Sequence, residues 1–117
     1  MAIEVRGQGR FEILHGCSQT STNSYAVVTG SELDARGWRS VDYTLSVATN
    51  DVLWTVYGDN DSAFGTEVVV QAEAEVTAGS TGTFSVANAP YTDYRVKIKS
   101  AATDVHGTAS VYGLMTG

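Results

Sequence analysis

From residue 40 onward the chain alternates apolar and polar side chains with few breaks, and this period of two excludes most folds other than sheet. In 40–48, Val41, Tyr43, Leu45 and Val47 fall on one side and Ser40, Asp42, Thr44 and Ser46 on the other. In 94–100, Tyr94, Val96 and Ile98 alternate with Arg95, Lys97 and Lys99. Successive strand residues point to opposite faces, so each run describes a ribbon with one dry side and one wet side. Residues 52–57 are apolar on both sides, which suits a central strand with Trp54 as a core anchor. In 67–76, Val68, Val70, Ala72, Ala74 and Val76 read as inward, and Glu67, Val69, Gln71, Glu73 and Glu75 as outward. Shorter strands are expected at 24–29, 83–86 and 109–115; the last sets Val111, Gly113 and Met115 against Ser110, Tyr112 and Leu114. Asn, Asp and Gly clusters at 49–51, 58–62, 78–82 and 104–107 supply turns, and Pro90 marks a corner. Helical spacing is confined to 31–37, where Ser31 caps and Gly37 ends one or two turns. The expectation is an all-β chain: an antiparallel β-sandwich of seven to eight strands, jelly-roll or immunoglobulin-like, with an extended N-terminal arm.

The arm spans 1–23 and the sandwich 24–117. Ile3, Val5, Phe11 and Ile13 alternate loosely around Gly7 and Gly9, and 18–24 is wholly Ser, Thr, Gln and Asn. Such a stretch cannot order itself by burial. The arm therefore either adds a strand to its own sheet edge or lies on another subunit.

The chain has 117 residues, enough for one domain, and 43% of them are hydrophobic, enough for a core. Thirteen acidic residues against seven basic give a net charge of -6, which argues against a nucleic-acid partner held by phosphate contacts. No apolar run approaches the roughly 20 residues of a membrane helix, and the stretch up to Arg10 does not read as a secretory signal. Cys17 is the one cysteine, so no disulfide forms within the chain; it reads as a small, half-buried residue. Asp59, Asn60 and Asp61 invite comparison with a calcium loop, but positions 5, 6 and 12 counted from Asp59 are Ala63, Phe64 and Val70. A looser site with Asp51 or Glu67 remains open, yet no metal or other cofactor is expected. His15 and His106 are the two histidines, and no nucleophile elbow, phosphate loop or zinc-helix motif occurs. No enzymatic activity is expected.

Arg95, Lys97 and Lys99 form a positive row, and Glu67, Glu73 and Glu75 a negative one. The two rows either pair across the sheet or meet a partner of opposite sign. Candidate partner-contact residues are Ile3, Val5, Phe11 and Ile13 in the arm, Tyr91 at the proline corner, and the cations Arg95, Lys97 and Lys99.

The segments YTLSVATND from Tyr43, WTVYG from Trp54, YRVKIKS from Tyr94 and HGTASVYG from His106 resemble small structural proteins of tailed bacteriophages. The resemblance covers about two thirds of the chain and implies a virion component of the capsid decoration (cement) type, binding across neighbouring capsomers. It further implies a homo-oligomer, often trimeric, with the major capsid protein or other virion proteins as partners. Such a protein is made in the host cytoplasm and sits on the capsid surface. It brings no catalytic motif. Rival expectations are a phage tail or receptor-binding module that recognises a surface sugar, and a secreted adhesin or carbohydrate-binding domain.

Overall fold

The alternating runs become strands in a computed structural model that describes residues 11–117. In chain order they are β1 (Phe11–Thr20), β2 (Ala26–Val27), β3 (Leu33–Asp34), β4 (Ser40–Thr49), β5 (Val52–Asp59), β6 (Val68–Val76), β7 (Thr81–Val86), β8 (Asp93–Ser100) and β9 (Thr108–Thr116). One sheet has the order β1-β9-β4-β7; the other has β2-β8-β5-β6, with β3 also on β8. Every pairing is antiparallel.

β2 and β3 lie along the same edge of β8, with Ala26 opposite Ile98 and Leu33 opposite Tyr94. They are two ends of one interrupted strand. Counted so, the first strand pairs with the last, the second with the seventh, the third with the sixth and the fourth with the fifth. A long hairpin wound on itself in this way is a jelly roll, which decides between the two sandwich types that the sequence leaves open.

The inward rows of β4, β5, β8 and β9 meet between the sheets. Trp54, Tyr43, Tyr94, Leu45, Ile98 and a group of valines are almost wholly buried there. Each such side chain contributes about 1.5–3 kcal/mol over its exposed state. Tyr43 also donates its hydroxyl to the Ser31 carbonyl at 2.6 Å, tying β4 to the rim of the opposite sheet.

Three expectations change. The short helix at 31–37 is absent: Leu33–Asp34 is strand, and Leu33 and Ala35 alternate into the core. One helical turn could not repay its nucleation cost, whereas strand geometry buries both residues. Ser31 is not a cap but a plug in the gap between β2 and β3, its Oγ accepting the Val96 N–H at 3.1 Å.

The second change concerns 67–76. Register against β5 shifts twice, so Trp54 faces Ala74, Val56 faces Gln71 and Gly58 faces Val68. These bulges break the regular inward row. Val68 is exposed, Val76 is buried, and the amide nitrogen of Gln71 is closed off from solvent.

The third concerns the residues after Arg10. Phe11–Thr20 pairs with β9 along its length, with a bulge between Leu14 and Cys17. The first of the two readings of the arm therefore holds for these residues: they form a strand at the edge of their own sheet. Hydrogen bonds order the polar stretch where burial could not. Ser18 Oγ meets Ser110 Oγ at 2.7 Å, and Gln19 donates to the Val27 carbonyl and accepts from the Thr29 N–H. Ile3 and Val5 lie outside the described residues.

Candidate interaction surfaces

The outer face of the second sheet satisfies its own charges. Glu67 reaches over the central β5 and takes Arg95 Nη2 at 2.8 Å and Lys97 Nζ at 2.5 Å. Arg95 also lies over the Phe64 ring at 4.3 Å, Lys97 over Tyr57 at 4.6 Å and Lys99 over Tyr25 at 5.5 Å. Tyr25 donates to Glu73 Oε1 at 2.6 Å. Burial pushes the Tyr25 hydroxyl up to about 12, with the Glu73 hydrogen bond adding to it. Burial also raises the Glu67 carboxyl, but the hydrogen bonds from Lys97 and Arg95 outweigh it and hold the group below its ordinary range.

Opposite charges therefore meet, although not as adjacent cross-strand pairs, because β5 lies between β8 and β6. The expected negative row is also divided. Glu67 serves Arg95 and Lys97, Glu73 serves Tyr25, and Glu75 lines a cleft at the end of the sandwich. Arg95 and Lys97 are each about one-fifth exposed, so they present little free positive surface.

Tyr91 is half-buried. Its ring meets Tyr94 edge-on with centroids 6.2 Å apart, and it covers Gly58 so closely that a Cβ there would sit 2.7 Å from Tyr91 Cδ2. The proline corner thus holds a packed pair of rings.

The acidic loop after β5 is folded around its own carboxylate. Buried Asp59 accepts the Thr66 N–H at 2.8 Å, the Asp61 N–H at 3.1 Å and the Thr66 hydroxyl. No group of three or more His, Cys, Asp or Glu suited to a metal ion occurs among the described residues.

His106 Nδ1 lies 2.8 Å from Ser100 Oγ, the geometry of a nucleophile and its base. Ser100 is buried, however, and its oxygen is 2.8 Å from Ser21 Oγ, which accepts the Gly107 N–H. The chain of contacts fastens the β1–β2 link to the β8–β9 loop and leaves the hydroxyl no open side for a substrate. Cys17 donates to the Gly30 carbonyl at 3.3 Å. The end cleft, about 340 Å³, is lined by Asn50, Asp51, Glu75, three alanines and Val105 and offers no aromatic ring for stacking on a sugar.

The first sheet presents a different outer face. Phe11, Ile13 and Tyr112 are exposed by 41%, 49% and 46%. Ile13 lies directly opposite half-buried Leu114, so the two share a face. The Tyr112 ring lies over Gly16, where a Cβ would come within 2.8 Å. The result is an apolar corner beside the edge strand β1, next to a field of Ser and Thr from β4, β7 and β9 in which Asp42 lies opposite Leu114. Phe11 and Ile13 were expected contact residues; Tyr112 and Leu114 were not. Residues 109–115 carry apolar residues on both sides, and only the pairing with β1 shows that Tyr112 and Leu114 join Phe11 and Ile13.

The fold and these surfaces define a jelly-roll β-sandwich with an apolar corner at its β1 edge. No protein-family model matches the chain, and no curated protein sequence does. Solved structures share the fold at low identity. A Bacillus endospore appendage, from a family of disulfide-linked pili, is 18% identical at a TM-score of 0.54, covering 99% of this chain and 98% of that one. The SPBc2 prophage-derived protein YomS is 12% identical at 0.56, covering 87% and 95%. The PBSX exported protein XepA is 13% identical at 0.60, with 93% of this chain matching 37% of that one.

Proposed function

We propose that this chain is a non-enzymatic structural subunit of a virion, of the decoration type that binds across capsomers on the outside of a phage head. The observation that carries the reading is the Phe11, Ile13, Tyr112 and Leu114 corner. Phe11, Ile13 and Tyr112 stand exposed there beside half-buried Leu114, whereas the charges of the second sheet's outer face are largely paired within the chain. A cluster of this kind, rimmed by Ser, Thr and Asp42, has the anatomy of a protein contact: apolar at its centre and polar at the rim. The sequence resemblance to phage structural proteins supports the same reading, and the prophage-derived YomS has the same fold. The proposed partner is the major capsid protein or another virion protein.

Immunogold labelling of particles from the native host tests this reading with antibody against the whole chain. Label over the heads is the expected result. Label confined to tails would move the assignment to a tail or receptor-binding module, and unlabelled particles would overturn it.

A further inference from the structure

Each sheet has two edges, and an edge strand leaves one side of its main chain as a template for another strand. Three of the four edges are poorly shaped for that use. β1 is broken by its bulge and sets Glu12 opposite the inward Met115. β6 loses register twice and carries Glu73 and Glu75. The β2–β3 edge offers two residues at either end. β7 differs from all three. It pairs with β4 residue for residue from Thr81 to Val86, and it contains neither a charge nor a proline.

We infer that the outer edge of β7, unpaired among the described residues, is a strand-addition site and that its occupant is β7 of a second copy of this chain, antiparallel about a two-fold axis. The Val47 N–H donates to the Ser80 carbonyl, so by alternation the main-chain groups of Thr81, Thr83 and Ser85 face away from β4. The side chains of the same three residues point to solvent. In an antiparallel pair centred on Thr83, that residue meets its own copy and Thr81 meets Ser85, giving Thr–Thr and Thr–Ser pairs.

The charges at the two ends of β7 fit this arrangement. Arg39 lies at the far end, where its Nε donates to Asn88 Oδ1; Asp51 lies at the near end, where it accepts the Ala78 N–H. Neither has an ion pair among the described residues. Antiparallel pairing places the Arg39 end of one copy beside the Asp51 end of the other, on both sides of the axis. An edge that pairs with itself closes after two copies, in place of the three-fold assembly that the phage resemblance implies. The inference stands apart from the virion reading, since it needs no second protein.

Sedimentation equilibrium of the full chain tests it. The wild type is expected to dimerise. Thr83→Pro removes an outward N–H without touching the β4 ladder, and Thr83→Lys sets like charges face to face. Each is expected to weaken the dimer about tenfold or more, or about 1.4 kcal/mol. Val69→Ser, exposed on the other sheet, is expected to leave it unchanged. If Thr83→Pro fails to fold, Thr83→Lys decides alone. A wild type that stays monomeric at every concentration, a trimer, or a dimer indifferent to Thr83→Lys overturns the inference.

Discussion

Tyr43 has both functions of a buried tyrosine: its ring fills the core between the sheets, and its hydroxyl satisfies the Ser31 carbonyl. Tyr43→Phe keeps the ring and leaves that carbonyl without its donor. The expected cost is about 1–2 kcal/mol, read as a lower urea midpoint with an unchanged slope. Gly107 lies where two loops pass backbone to backbone; a Cβ there would come within 2.5 Å of the Thr49 carbonyl oxygen and 2.6 Å of that of Asn50. Neither oxygen belongs to a side chain that can swing away. Gly107→Ala should therefore cost more than about 2 kcal/mol, the scale of enforced overpacking. Tyr25 has a raised folded-state pKa, so its contribution is complete below the ordinary value of 10.0 and is lost as pH rises toward about 12. The gap in melting temperature between the wild type and Tyr25→Phe should therefore be full at neutral pH and close between about pH 10 and 12; a gap constant through that window would assign the effect to packing.

At the scale of the element, the outer face of the second sheet depends on Glu67, which holds two cations over β5. Its carboxyl is held below the ordinary range, so the stabilisation is complete above about pH 4.5 and falls away as acid protonates the folded state. Glu67→Gln should cost about 1–2 kcal/mol near neutrality, given partial burial and two charged donors. The gap from wild type should close on acidification; a gap constant with pH would show that shape, not charge, matters there. The long strands β4, β8 and β9 were legible because each has a buried face and keeps its alternation, and β5 because it is apolar on both faces. β6 also alternates in sequence, yet its two bulges are properties of its pairing with β5 and leave no trace in its own residues. β2 and β3 were illegible for a different reason. Ser31 stands in for main chain between them, and two paired residues at a time make no period.

At the scale of the molecule, the apolar corner and β7 occupy opposite edges of one sheet, so the contacts they make are separable. Phe11→Ser with Ile13→Ser should abolish association with particles in a co-sedimentation assay and leave the melting temperature within a few degrees, because both residues are already exposed. A variant that unfolded instead would make the corner part of the core. The two-layered architecture was readable from turn spacing and alternation. The choice of jelly roll was not, since it depends on which strands pair across the whole chain. The corner was half readable: Phe11 and Ile13 stood out, while Tyr112 and Leu114 needed a neighbour more than ninety positions away to show their face. That distance has a consequence during synthesis. The partner of β1 is β9, so the ribosome releases β1 long before it makes the strand that will cover its flank. Until residues 108–116 emerge, Phe11, Ile13 and Leu14 sit on an incomplete ribbon, and the nascent chain must stay unaggregated over that whole interval before the roll can close.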